Sequence, residues 1–269
     1  MRILRVCVLA LFLVVLIVNI VTGLLTQKDE TLPVVKLDSD LLRVSLSDGD
    51  DALLSGVTAF DEKDGDLTDR VIVESVSRFT DPGVSVVTYA VCDNDNHVAK
   101  ASRKVVYDDY TPPYFTLSGS LVFGISQTVN IPKYLGAADS IDGDVSDRVI
   151  ITTSDYQTNT AGVFYISARV TNSKGDTASL ELPVFIEEKR VSAPVITLES
   201  YLSYVGVGEE CDVFDNLVSA VASNGTDLMS AVRIDSDLDT GTAGTYFVHY
   251  YVTDFEGRTS HEIFTVVVR

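Results

Sequence analysis

The chain has 269 residues, with 20 Lys and Arg against 39 Asp and Glu, and a formal net charge of -19. So acidic a surface repels phosphate, which argues against nucleic acid as a partner and favours divalent cations and basic partners. The three cysteines, Cys7, Cys92 and Cys211, lie too far apart to give any one segment its own disulfide, so stability must come from core packing or bound ions.

The first five residues carry Arg2 and Arg5, and residues 6–25 are then free of charge. Twenty residues at about 1.5 Å each are enough to cross a hydrocarbon core of about 30 Å. Because the following Lys28, Asp29 and Glu30 are net acidic, the positive-inside bias predicts a single-pass cell-membrane protein with a cytosolic amino terminus and an extracellular bulk. Cys7 then becomes a membrane-buried thiol. The competing reading is a signal peptide cleaved near Val21-Thr22-Gly23. No sorting motif follows the last strand pattern, so residues 6–25 are the expected anchor.

From Leu32 onward short apolar alternations are punctuated by Gly, Asp, Asn and Pro, with no amphipathic helical stretch of useful length, which predicts an all-β protein. Strands are expected at residues 34–37, 42–46, 71–76, 84–91 and 102–107, and the same order returns twice. Residues 61–72 (Asp61-Glu62-Lys63-Asp64-Gly65-Asp66-Leu67-Thr68-Asp69-Arg70-Val71-Ile72) match residues 139–150 at eight of twelve positions, 78 residues later. A long alternating strand also recurs: Ser85, Val87, Tyr89 and Val91, then Phe164, Ile166, Ala168 and Val170, then Tyr246, Val248, Tyr250 and Val252. Period-2 alternation buries one face, so these twelve side chains are the expected core.

Charge and proline interrupt the pattern at residues 108–113 and 187–194. The division expected is 1–28 as cytosolic stub and anchor or signal peptide, 29–109 as repeat 1, 110–190 as repeat 2 and 191–269 as repeat 3. With linkers this short and proline-containing, the array should be semi-stiff.

The Asp-x-x-Asp-Gly-Asp loop, followed by a Gly turn, a Val-rich strand ending at Asp93, Asn172 or Asp254 and a closing strand, resembles the bacterial immunoglobulin-like domains of surface proteins and some pesticidal crystal proteins. The resemblance covers residues 32–269. It implies three tandem immunoglobulin-like β-sandwiches after one transmembrane helix, acting as extracellular spacer or adhesion modules on a bacterial surface without catalytic activity. Repeat 3 departs most, with Ala222-Ser223-Asn224-Gly225-Thr226-Asp227-Leu228 in place of the acidic loop.

Asp61, Asp64, Asp66 and Asp69, with Asp139, Asp142, Asp144 and Asp147, are the constellation with chemical weight. Four carboxylates within nine residues repel unless a cation or exposure relieves them. Calcium suits such a loop, although the spacing lacks the distal Glu of an EF-hand. The alternative is that each Asp bonds its own backbone two residues on, as an Asx-turn. A glycosidase pair is a poor reading, since units this small and without Trp hold no aromatic-walled cleft. His97, His249 and His261 are scattered in sequence without zinc-ligand spacing, which predicts solvated or packing roles. Tyr251 and Phe247 fall on the outward face of their strand, where they either pack or form a patch for glycan or protein. Two functions follow: a membrane-anchored spacer array, or a binding module for an extracellular protein or glycan with repeat 3 as its head.

Overall fold

The computed structural model describes residues 2–25, 30–188 and 191–269, and within the amino-terminal helix the side chains of residues 8–22. Helix α1 (Arg2–Leu25) exposes every described side chain, an apolar run from Val8 to Thr22 broken by Asn19. Among the described residues no helix is long and apolar enough to cross a membrane; fifteen residues reach about 22 Å at 1.5 Å each. Both ends of the expected 6–25 span lie outside the described side chains.

The rest of the described chain is all-β, apart from single helical turns. The first repeat runs β1 (Val34–Leu37), β2 (Leu41–Val44), α2 (Asp50–Leu53), β3 (Val57–Asp61), β4 (Gly65–Asp66), β5 (Ile72–Val76), β6 (Val84–Cys92) and β7 (Val98–Tyr107). Neither α2 nor β3 is among the elements that the sequence pattern predicts. Two sheets form, in the orders β1-β3-β4 and β2-β7-β6-β5. Ser85, Val87, Tyr89 and Val91 of β6 are buried as the alternation required.

The second repeat runs β8 (Tyr114–Leu117), β9 (Val122–Gly124), β10 (Leu135–Asp139), β11 (Gly143–Asp144), β12 (Ile150–Ser154), β13 (Gly162–Thr171) and β14 (Thr177–Glu187). Its sheets are β11-β10-β8 and β12-β13-β14-β9. The third runs β15 (Val195–Leu198), β16 (Leu202–Val205), β17 (Leu217–Val221), β18 (Arg233–Ser236), β19 (Gly244–Thr253) and β20 (Thr259–Val268), with sheets β15-β17 and β16-β20-β19-β18. In both repeats the chain pairs antiparallel in one sheet, crosses over, and joins the last strand of the other in parallel: β9 on β14, β16 on β20. That crossover covers an edge of each four-stranded sheet. A register shift in the strand after the acidic loop, at Val73/Ser75 and again at Ile151/Thr153, keeps the 78-residue period.

By contact density the chain divides into two compact units, residues 1–77 with 84–106, and residues 78–83 with 107–269. The second unit holds repeats 2 and 3 together. Its larger core is built on Phe115, Ile166, Leu182 and Ile186 and takes in Leu202 from β16, with Tyr201, Tyr204 and Val267 of the third repeat packed against it. The smaller core gathers Ile196, Ala220, Val248, Tyr250, Val252 and Phe264.

Candidate functional site

The acidic loops are built around one buried carboxylate each. Asp61 is 1% exposed, and its Oδ1 accepts the backbone N–H of Lys63 at 2.8 Å and of Asp64 at 2.9 Å. Asp139 does the same for Ile141 at 3.1 Å and Asp142 at 2.6 Å. These are Asx-turns. Asp64 and Asp142 reach across to the turn after the long strand: Asp64 accepts the backbone and side-chain N–H of Asn94 at 2.7 and 2.8 Å, and Asp142 the backbone N–H and hydroxyl of Ser173 at 2.6 and 2.7 Å. Asp142 also pairs with Arg148 at 2.5 Å. Burial pushes the Asp142 carboxyl up, but the Ser173 donors and Arg148 outweigh it and hold the group below the usual range. Asp66 and Asp144 accept the N–H of Thr68 and Ser146, both at 2.9 Å, and open the short 3-10 turns on which Asp69 and Asp147 stand exposed.

Three acids of each loop therefore take separate sets of partners, and the fourth, Asp69 or Asp147, faces solvent. Among the described residues no group of three or more His, Cys, Asp or Glu is placed to hold a metal ion. The third repeat bears on the point directly. Its loop keeps the buried Leu228 and the Asp227 bond to Met229 N–H at 2.8 Å, with Ala222 in place of the buried Asp, but its positive φ, 87° at Gly225, falls one residue earlier in the loop than those at Gly65 and Gly143. The short turn that Asp227 opens thus forms without the buried Asp.

A second set of buried caps closes the turn before each last strand. Asp93 accepts the N–H of Asp95 and His97, Asn172 those of Lys174 and Asp176, and Asp254 those of Glu256 and Arg258, all at 2.7–3.0 Å. These are the strand-end residues that carried the sequence resemblance, and each is at most 7% exposed. Burial pushes Asp93 and Asp254 up, yet the turn N–H groups and the His97 ring or Arg258 side chain hold both below the usual carboxylate range. His97 is thus a cap partner at 2.8 Å from Asp93 rather than a solvated side chain.

The remaining histidines are not scattered in space. The β19–β20 register sets Tyr251 opposite His261 and His249 opposite Ile263, so His249 and His261 fall on one face as diagonal neighbours. Their facing nitrogens, His249 Nδ1 and His261 Nε2, are 3.0 Å apart, and His261 Nδ1 donates to Glu187 of β14 at 2.7 Å. Tyr251 stacks on His261 with ring centroids 4.5 Å apart, Arg233 lies 4.7 Å from the centre of the Tyr251 ring, and Phe185 of β14 meets His261 edge-on at 5.0 Å. Burial, followed by the neighbouring His261, holds His249 below the ordinary histidine value. Beside this cluster a cleft of about 520 Å³ runs between the repeats, lined by Glu187, Glu188, Pro194, Tyr251, Thr259 and His261 among others. Counting both strands out from the Asp254–Gly257 turn pairs Tyr251 with His261; the approach of Glu187 and Phe185 had no sequence signal.

At the other side of the same joint, the Tyr204 hydroxyl accepts the backbone N–H of Phe115 at 2.9 Å. Tyr114 meets the Tyr204 ring edge-on at 5.9 Å, and Arg269 lies 4.3 Å from its centre. Repeats 2 and 3 are thus joined by two aromatic clusters.

Two sheets per repeat, a crossing first strand and capped turns define a tandem array of β-sandwiches, similar to immunoglobulin-like domains of the bacterial surface type. Residues 205–268 match the family model described as "Bacterial surface protein, Ig-like domain", and they lie in the repeat whose acidic loop departs most. Among curated relatives, the chain is 28% identical over 155 residues to the pesticidal crystal protein Cry22Aa of Bacillus thuringiensis, covering 54% of this chain and 20% of that protein. It is 27% identical over 191 residues to the uncharacterized 81.3 kDa protein of Acholeplasma phage L2, covering 68% of this chain and 26% of that one. The chain thus spans about a fifth to a quarter of the length of these relatives. A solved structure of Clostridium perfringens ZmpB, holding its M60 catalytic domain with CBM51-1 and CBM51-2, aligns with 89% of this chain and 31% of its own at 16% identity and a TM-score of 0.26.

Proposed function

We propose that the chain is a membrane-anchored extracellular array whose immunoglobulin-like repeats act as spacer and adhesion modules without catalysis. The observation that carries the spacer reading is the joint between repeats 2 and 3, which has a hydrogen-bonded aromatic cluster on each side. A freely jointed string of domains has no use for such contacts, whereas a spacer needs stiffness to hold a distance.

The anchor reading is supported by α1, whose described side chains form an apolar surface exposed all round. The two polar side chains among those described are satisfied within the helix: Asn19 donates to Val15 O and Thr22 to Val18 O, both at 2.8 Å. Internal satisfaction is what hydrocarbon demands. Carbonate extraction of cells expressing the chain tests it. The intact protein should stay in the membrane pellet and its repeats should be cut by protease added outside; a soluble chain beginning near Leu24 overturns the anchor.

A second reading, with repeat 3 as a binding head for protein or glycan, is favoured by Phe214 and Phe255, which are 70% and 88% exposed there. Tyr251 does not contribute to it, because its ring is stacked against His261 and lies beside Arg233. If repeat 3 is a head, Phe214→Ser with Phe255→Ser abolishes binding to target cells or a glycan array while the melting curve stays unchanged.

A further inference from the structure

The joint between repeats 2 and 3 contains a row of titratable groups that stiffness alone does not require. Glu187 of β14, His261 of β20 and His249 of β19 stand in hydrogen-bond series. The charges facing them are Asp235 of β18, Asp237 just beyond it, and Arg233 of β18 beside Tyr251, with Glu188 lining the adjoining cleft. We propose that this row is an acid-triggered hinge: one proton added to the histidine pair leaves the two repeats joined, and a second opens them. The inference depends on the joint alone and stands whether or not α1 anchors the chain.

Two neutral imidazoles carry two protons on four ring nitrogens. One is on His261 Nδ1, facing the Glu187 carboxylate, and the other on His249 Nδ1, donated to His261 Nε2. A first added proton goes to His249 Nε2, or to His261 with the shared proton redistributed. Either way one N–H remains between the facing nitrogens, and the contact becomes charge-assisted beside Glu187. A second added proton puts N–H on both facing nitrogens, 3.0 Å apart with no lone pair between them, and two like charges in a mostly buried site.

The repulsion bears on the joint. His261 is 5% exposed and packed between the face of Tyr251 and the edge of Phe185. Tyr251 belongs to its own hairpin, whereas Phe185 and Glu187 belong to repeat 2, so a His261 ring driven away from His249 presses on its contacts with repeat 2. The two steps belong to the pair rather than to either ring. Burial and His261 hold His249 below the ordinary histidine value of about 6.5, and the contact of two N–H groups across 3.0 Å opposes the second step in the same direction. The native joint then binds fewer protons than the opened one, so its stability declines as pH falls below that value and the loss is complete below the depressed one.

The test is a spin-label distance between Thr153→Cys in repeat 2 and Thr253→Cys in repeat 3, both exposed, in the full chain with Cys7, Cys92 and Cys211 replaced by Ser. The expected result is a narrow distribution at pH 8 and 6.5 that broadens near pH 5 and narrows again on return to pH 8, with the β-sheet circular dichroism unchanged. His249→Gln, which takes up no second proton, should stay narrow at pH 5. Glu187→Gln keeps the pair but removes its counter-charge, and should move the broadening up by about one pH unit. The hinge is overturned by a distribution that stays narrow at pH 5 while the Cε1 proton shifts show both rings charged. Broadening that coincides with loss of sheet signal, His249→Gln behaving as the parent does, or Glu187→Gln leaving the transition in place overturns it equally.

Discussion

Asp139 is a residue whose burial rests on being fully bonded. One oxygen holds the two turn N–H groups and the other accepts Asn172 Nδ2 at 2.6 Å, and Asn172 in turn donates to the Tyr110 hydroxyl. Asp139→Ala should destabilise the second repeat by about 1–3 kcal/mol in urea unfolding, since it leaves buried donors without acceptors. The third repeat carries Ala222 at this position without that penalty, because its strand-end carboxylate, Asp254, is bonded by the Arg258 side chain at 2.7 Å instead. Since Asp61, Asp64 and Asp66, and their counterparts Asp139, Asp142 and Asp144, already accept from N–H, hydroxyl or Arg donors, the unfolding midpoint should be the same with 10 mM calcium and with chelator. A calcium shift confined to the first two repeats would instead support the cation reading of Asp61, Asp64, Asp66 and Asp69 and of Asp139, Asp142, Asp144 and Asp147. The depressed Asp93 and Asp254 add an acid limit. Below about pH 4 the unfolded chain binds protons that the native turns refuse, so stability falls as pH drops through that region.

Among the elements, the long central strands differ in what their buried tyrosine does. The Tyr89 hydroxyl of β6 donates to Leu53 O at 2.6 Å and accepts from Arg103 Nε at 2.8 Å, and that buried guanidinium also reaches Ser55 O and Asp38. The Tyr250 hydroxyl of β19 donates to Val213 O at 2.6 Å, and burial pushes its phenol up to about 12. Tyr89→Phe should therefore cost more than Tyr250→Phe. About 1.5–3 kcal/mol is expected for a bond to a buried charge, against about 1 kcal/mol for the neutral one, measured as shifts in denaturant midpoint at constant slope. Arg103 is also what fixes α2, an element too short to show a helical period of its own.

In the whole molecule, the second unit places repeats 2 and 3 under shared packing while Val191 and Ser192 stay exposed, Val191 at 91%. Limited proteolysis should cut near Val191 and near Asp108–Asp109, and after the Val191 cut the two fragments should still elute together. Tyr204→Phe, which strips the acceptor from Phe115 N–H, should make them separate more readily. Separation in the parent protein without any substitution would show that the joint is too weak to stiffen a spacer.

Local pattern was enough to determine the all-β class, the 78-residue repeat, the inward faces of β6, β13 and β19, and the turn positions at Gly65 and Gly143. Each of these depends on neighbours within a few residues: alternation follows from the pleat, and a positive φ from the missing side chain of Gly. The acidic loops lay between two readings because sequence shows how many carboxylates are near one another but not which donors reach them, and Asn94 and Ser173 arrive from turns 30 and 31 residues away. The histidine joint lay further out of reach. His249 and His261 meet through hairpin register, and they meet Glu187 and Phe185 only because two separately patterned repeats pack together. That packing is a property of surfaces rather than of periods, and only the tertiary structure decided it.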